Sequence, residues 1–278
     1  MRQSASWFLL LAALLVLPLA GTARAQGMAT LSGGDGPVTI EADNGIEWVR
    51  DEQKYIARGN AKAIRDNVTI SADVLTATYR DAKDGSGTEI WRLEAAGKVV
   101  MSTPTETAYG DRAVYNIDLE RLRLTGQGLR LVAGDDVVTA RDSIDYYQGK
   151  QIAVATGNAL AVRQDRKISA DVLTAAFKPD RTGKLQLAEV QADGNVVITT
   201  PNEIARGAQG VYNVPKEIAT LTGNVRVTQG KNQLNGQRAE VNMKTGVSRL
   251  LAGKAGDGRV RGLFVPDENS RGSTGRPQ

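Results

Sequence analysis

From Val38 onward, apolar and polar residues take turns along the chain. In Val38-Thr39-Ile40-Glu41-Ala42-Asp43, Val38, Ile40 and Ala42 share one side, and Thr39, Glu41 and Asp43 share the other. Val68, Ile70 and Ala72 against Thr69, Ser71 and Asp73 repeat the scheme, as do Leu221, Val225 and Val227 against Thr222, Asn224, Arg226 and Thr228. A period of two is that of a β-strand, whose successive side chains point to opposite faces, so each strand has one buried and one wet face. Helical patterning is almost absent beyond the first 25 residues. Glycines at 59, 97, 126, 157, 194, 223 and 253 punctuate the alternation, most of them followed by a polar residue. Glycine reaches positive φ without a Cβ clash, and Gly-Asn or Gly-Lys is hairpin chemistry, so these positions predict tight turns between strands.

The alternation is itself repeated. Ile70-Ser71-Ala72-Asp73-Val74-Leu75-Thr76-Ala77 recurs unchanged as Ile168-Ser169-Ala170-Asp171-Val172-Leu173-Thr174-Ala175. Neighbouring segments recur in the same order: Gly97-Lys98-Val99-Val100 with Gly194-Asn195-Val196-Val197, Val114-Tyr115-Asn116 with Val211-Tyr212-Asn213, and Leu124-Thr125-Gly126 with Leu221-Thr222-Gly223. The body therefore reads as two tandem copies of a unit of about 97 residues, near 57–154 and 155–250. Many short strands with one wet face each predict an all-β fold, an elongated twisted jelly roll of stacked antiparallel strands. A parallel β-helix is the second reading, but its coils repeat at shorter intervals. The inward positions are mostly Val, Ile, Leu and Ala, with aromatics at only 5%. Small inward residues suit either tightly packed sheets or a groove for an apolar ligand.

The start of the chain bears on compartment. Arg2 precedes an apolar run from Trp7 to Ala20, and Ala23-Arg24-Ala25 then offers a small-residue cleavage pattern. As a helix at about 1.5 Å per residue the run is roughly 21 Å long, short of the ~30 Å hydrocarbon core. Residues 1–25 are thus expected to be a cleavable signal peptide, 26–36 a flexible segment, 37–266 the folded body and 267–278 a disordered tail. Removing Arg2 and Arg24 reduces the net charge from +4 to +2, and the basic residues form no stripe, so no nucleic-acid partner is expected.

Chemistry is restricted. The chain has no cysteine and no histidine, which removes disulfides, the usual zinc ligands and the usual neutral-pH general base. Asp73 and Asp171 are the most faithfully repeated acids, but equivalent positions in separate copies lie apart, so a paired-carboxylate hydrolase is not expected. The loop from Asp81 to Gly87 misses the spacing of a calcium loop and reads as a hairpin turn around Asp84-Gly85. Asn67-Val68-Thr69 is a glycosylation sequon by letter only. The expectation is a non-enzyme without cofactor or metal.

Taken in order, Val38-Thr39-Ile40-Glu41-Ala42-Asp43, Ala57-Arg58-Gly59-Asn60-Ala61, Val211-Tyr212-Asn213, Leu221-Thr222-Gly223-Asn224-Val225 and Arg259-Val260-Arg261-Gly262-Leu263-Phe264-Val265-Pro266 resemble LptA/OstA-like proteins over residues 37–266. The resemblance implies a periplasmic β-jelly roll that binds lipopolysaccharide (lipid A) acyl chains between its sheets and passes them from inner to outer membrane. It implies an LptC-like inner-membrane partner, an LptD-like outer-membrane translocon, and self-association head to tail through edge strands at 38–43 and 260–265. Carried onto this chain, the lipid-contacting positions are Val38, Ile40, Met101, Tyr115, Ile117, Ile198, Tyr212 and Val214. A structural or protein-binding β-repeat scaffold of the cell envelope is the alternative.

Overall fold

The computed structural model describes residues 38–83, 85, 87–242, 244–245, 247–252 and 259–265. The expected signal peptide, flexible segment and tail lie outside the described residues, as do Asp84 and Gly253. Among the described residues there are eighteen strands and no helix. They are β1 (Thr39–Glu41), β2 (Ile46–Val49), β3 (Lys54–Arg65), β4 (Val68–Asp81), β5 (Thr88–Ser102), β6 (Glu106–Asn116), β7 (Arg121–Thr125), β8 (Arg130–Ala133), β9 (Asp136–Thr139) and β10 (Ser143–Tyr147). The second half follows with β11 (Ile152–Arg163), β12 (Arg166–Pro179), β13 (Leu185–Thr199), β14 (Ile204–Asn213), β15 (Ile218–Gln229), β16 (Asn232–Asn242), β17 (Val247–Leu251) and β18 (Arg261–Leu263). Every pairing is antiparallel between strands close in sequence.

The long strands are bent in the middle. Each pairing of two long strands breaks register near its centre, for example between Arg58 and Ala61 on β3, Ala96 and Val99 on β5, Thr156 and Ala159 on β11, and Thr222 and Val225 on β15; β4–β5 and β12–β13 shift a second time toward their ends, at Thr78/Tyr79 and Ala176/Phe177. At each central break sits a glycine with positive φ followed by a second positive-φ residue: Gly59-Asn60, Gly97-Lys98, Gly157-Asn158, Gly194-Asn195 and Gly223-Asn224. These are β-bulges, which insert residues, bend the strand and increase its twist. Five of the seven glycines expected to close hairpins therefore act inside strands instead; Gly126 lies in the link between β7 and β8, and Gly253 is outside the described residues. The tight two-residue turns lie elsewhere, at Asp66-Asn67, Gly134-Asp135, Gln164-Asp165 and Gly230-Lys231, where Asp66, Gly134, Gln164 and Gly230 take the positive φ.

Bending at one level turns one set of strands into two layers. The first layer holds β2, the first half of β3, the second half of β4, and so on to β17. The second holds β1, the second half of β3, the first half of β4, and so on to β18. Where the strand is broken outright, its pieces divide between the layers: β7 and β10 pair in the first, β8 and β9 in the second.

The layers close on each other through glycines that sequence patterning does not single out. A Cβ on Gly110 would lie 2.8 Å from Leu124 Cδ1, one on Gly207 2.7 Å from Leu221 Cγ, and one on Gly236 2.8 Å from Leu250 Cγ. None of these three has positive φ; the requirement is room for a leucine of the opposite layer. Gly210 differs, since a Cβ there would meet Leu221 Cδ1 and Val196 Cγ1 at an ordinary 3.6 Å. Gly207→Ala is accordingly expected to destabilise by about 1–3 kcal/mol through overpacking, while Gly210→Ala stays within about 0.5 kcal/mol; urea midpoints of the two variants check the contrast.

Candidate functional site

The inward faces form unbroken apolar rows that cross every strand of a layer. In the second layer Ile40 lies opposite Ala63, Ala63 opposite Ile70 and Ile70 opposite Met101. The same row continues in the second copy, where Ile168 faces Ile198 and Ile198 faces Ala205, and ends on Gly262 of β18. The first layer carries a parallel row through Ala57, Leu75 and Ala95 that reaches Leu250 at its far end. Beyond Ile40, Ala63 and Ala57 at the near end, the apolar side chains of both rows belong to a single hydrophobic cluster. Burial varies along it: Met101, Ala205 and Val227 are buried, whereas Ile70, Leu131, Val138, Ile168, Ile198 and Leu234 remain half-buried, so water reaches parts of the interior face.

The sequence-expected lipid contacts fall into three groups. Ile40, Met101 and Ile198 lie together on the second-layer row just described. Tyr115 and Tyr212 occupy equivalent positions on a second row of the first layer, opposite Leu93 and Leu122 and opposite Val190 and Ala219. Tyr115 is buried and its hydroxyl shares a 3.1 Å hydrogen bond with Gln148 Oε1. Burial pushes the Tyr212 hydroxyl up, with Glu217 adding to the shift. Val38, Ile117 and Val214 lie at the margins: Val38 just before β1, and Ile117 and Val214 just beyond β6 and β14, where their N–H groups donate to Trp91 and Ala188 carbonyls. Val38 and Ile117 are exposed, Val214 half-buried.

Residues the sequence reading passed over are as deeply placed as those it chose. Tyr146 continues the Tyr115 row through Leu122, and burial followed by nearby Glu106 raises its hydroxyl. Leu129, in the link between β7 and β8, is fully buried at the meeting point of the two copies. At the beginning of the row Trp48 stacks on Tyr55 with centroids 5.7 Å apart, and its indole N–H donates to the Tyr79 hydroxyl at 2.9 Å. The two-residue alternation marks Trp48 and Tyr146 as surely as Tyr115, whereas nothing local marks Leu129.

The charged groups serve the scaffold. Asp73 and Asp171 sit at the strand corners, where Asp171 Oδ2 accepts from Asn195 Nδ2 at 2.9 Å, and Asp73 lies 3.9 Å from Lys98 Nζ. A Cβ on Gly97 or Gly194 would fall 2.3 or 2.2 Å from these carboxylates, so acid and glycine interlock. Among the described residues no three His, Cys, Asp or Glu side chains group as a metal site. Glu203 is buried with Oε2 unpartnered, and burial raises its carboxyl.

Asp145 on β10 is the most deeply buried ion-paired acid. Its Oδ1 accepts from Arg121 and Arg123 at 2.8 Å each, and its Oδ2 from Ser143 Oγ at 2.7 Å. Burial alone would raise this carboxyl, but the bonds from Arg123, Ser143 and Arg121 outweigh it and hold the group below its ordinary value. A depressed acid contributes stability above its unfolded value near 3.9 and loses it as pH falls through the folded value. Asp145→Asn is expected to cost about 1–3 kcal/mol at pH 7. Its deficit relative to the parent shrinks as acid denaturation proceeds below about pH 4, which urea titrations across pH would measure.

Two layers folded toward each other along a glycine spine, lined with apolar rows and edged by open strands, define an elongated β-roll built around an apolar interior. Residues 39–148 and again 138–247 match the family described as LptA/(LptD N-terminal domain) LPS transport protein. The chain belongs to this family. The two matches overlap on β9 and β10, which the first uses as its last strands and the second as its first. An uncharacterised protein of Rhizobium meliloti (strain 1021) is 29% identical over 154 residues, covering 54% of this chain and 81% of that protein. Among solved structures, LptH of Pseudomonas aeruginosa, the LptA-homologous periplasmic component of the lipopolysaccharide transport device, is 18% identical. The similarity spans 47% of this chain and 95% of LptH with a TM-score of 0.39.

Proposed function

We propose that this protein is a periplasmic lipopolysaccharide carrier that takes lipid A acyl chains between its two layers and hands them from inner toward outer membrane. The observation that supports it best is the apolar row running from Ile40 to Gly262 without interruption, in a family of lipopolysaccharide transport proteins. Each acyl CH₂ withdrawn from water is worth about 0.8 kcal/mol. A continuous apolar path lets a chain slide without paying that cost at each step, while sugars and phosphates stay in solvent. No bond is made or broken, so the side chains need only be apolar and correctly spaced. Directional movement requires work from elsewhere, since the chain carries no G-x-x-x-x-G-K-[ST] phosphate loop. An LptC-like partner upstream, an LptD-like translocon downstream and further copies of this chain joined end to end complete the route.

Val38, Ile40, Met101, Ile198 and Tyr212 with Tyr115, Ile117 and Val214 are the proposed contact positions. The full burial of Ala61 and Ala159 at the corners supports a lipid position away from the spine, toward the half-buried residues. A photoreactive amino acid at Ile198 is expected to crosslink to lipopolysaccharide, while one at its outward-facing neighbour Val197 does not. Equal labelling at both positions, or none at Ile198 with saturating lipid, would favour a scaffold whose interior never opens.

A further inference from the structure

The two copies place the same acid at the open side of the interior, away from the corners, but give it different neighbours. Thr103-Pro104-Thr105-Glu106 leads from β5 into β6, and Thr200-Pro201-Asn202-Glu203 leads from β13 into β14. Both turns close alike: the glutamate N–H donates to the threonine Oγ1 at 3.0 Å, and the threonine N–H donates to the glutamate carbonyl at 2.9 Å. Each glutamate stands two residues before a buried inward alanine, Ala108 or Ala205, so strand alternation turns its side chain to the same face. Met101 opposes Ala108 and Ile198 opposes Ala205, so Glu106 and Glu203 are polar groups bordering the second-layer apolar row.

In the first copy the opposite layer brings up a hydroxyl. Tyr146 on β10, opposite Leu122, is buried, and its phenol is raised by burial and then by the charge of Glu106. Phenol and carboxylate thus approach each other from the two layers. The second copy lacks that phenol. Leu122 corresponds to Ala219, since Tyr115 opposes the one and Tyr212 the other, and the residue opposite Ala219 is Val241. Valine brings no hydrogen-bonding side chain. Glu203 is nonetheless only 7% exposed, and its Oε2 has no hydrogen-bond partner among the described residues. Burial alone raises its carboxyl, with no neighbouring cation drawing it back. A buried acceptor without a partner destabilises a fold, so its presence calls for a reason.

The surroundings define the missing partner. Glu203 borders Ala205 and Ile198, so whatever reaches it from the interior is mostly hydrocarbon. It also carries a hydroxyl, in the role of the Tyr146 phenol. A fatty acyl chain with a hydroxyl close to its polar end has both properties, whereas an anionic group at that point would be repelled. We propose that Glu203 accepts a hydrogen bond from the hydroxyl of a β-hydroxyacyl chain lodged in the second copy, in the place that Tyr146 holds in the first. The proposal rests on the carrier reading above and deepens it. The second copy anchors the chain by a polar contact, while the first satisfies its own acid. A chain without the hydroxyl leaves Glu203 buried and unpaired, so the contact selects among lipids as well as holding one.

Calorimetric titration of the protein with N-(β-hydroxymyristoyl)glucosamine and with N-myristoylglucosamine tests this, because the second lipid keeps the amide and lacks only the chain hydroxyl. The hydroxylated lipid is expected to bind about tenfold more tightly. Glu203→Met abolishes that preference and raises the urea midpoint of the lipid-free protein, since an apolar side chain of similar length replaces an unpaired acid. Glu106→Met leaves the preference intact. Val241→Tyr keeps Glu203 but brings in a phenol as in the first copy, and lowers the affinity for the hydroxylated lipid to that for the plain one. Equal affinity of the parent protein for the two lipids would overturn the proposal and leave the carrier reading standing. So would a preference that survives both Glu203→Met and Val241→Tyr. Failure of both lipids to bind the parent protein would overturn the proposal together with the carrier reading.

Discussion

A strand can serve two layers only if it bends without losing its partners, and here a positive-φ glycine followed by a second positive-φ residue makes the bend. At Gly97-Lys98 and Gly194-Asn195 the backbone takes a conformation L residues rarely adopt, and the neighbouring Asp73 or Asp171 fills the space a Cβ would need. A substitution at these glycines would meet both obstacles together. Because corners in successive strands fall at one level, they stack into a spine along the molecule. Everything else in the fold hangs from that spine: two sheets instead of one, apolar faces turned toward each other, and pairs of short edge strands at both ends.

The same constraint shapes the interior. Alanines such as Ala61 and Ala159 beside the corner are fully buried, and larger side chains such as Ile70, Ile168 and Ile198 farther from it are half-buried. Gly110, Gly207 and Gly236 admit leucines of the opposite layer at the narrow side. The interior is thus closed at the spine and partly open to solvent at these larger side chains. Where the strand is broken between β7 and β8, Leu129 drops into the core and the deepest ion pair, Asp145 with Arg121 and Arg123, braces the outer face. The junction between the copies thus combines a fully buried leucine with a buried ion pair.

Much of this was legible in the sequence, because alternation and repetition are local signals that survive without tertiary information. Val68, Ile70 and Ala72 face inward as their spacing requires, and the duplicated Ile70–Ala77 and Ile168–Ala175 segments fold as equivalent strands. The glycine reading was right about conformation and wrong about consequence. Gly-Asn with two positive φ angles is common to a hairpin turn and to a strand bulge, and only the neighbouring strand, with its register shift, distinguishes them. The true tight turns at Asp66-Asn67 and Gln164-Asp165 carry no glycine and so gave no signal. Gly110, Gly207 and Gly236 were silent for a different reason: they answer to a leucine many residues away, which no local pattern records. For the candidate site, Ile40, Met101 and Ile198 proved to share one row, yet their neighbours Ala63, Ile70 and Ile168 follow the same rule and were left out only because the resemblance did not point to them.

If acyl chains lie between two layers hinged on the glycine spine, as proposed, occupancy must move the layers. Spin labels on the outward residues Gln191 of the first layer and Lys167 of the second, introduced as cysteines into this cysteine-free chain, would report their separation by pulsed electron resonance. The distance is expected to lengthen when lipopolysaccharide is added and to stay unchanged with the deacylated polysaccharide. An unchanged distance in protein carrying bound lipopolysaccharide would contradict it.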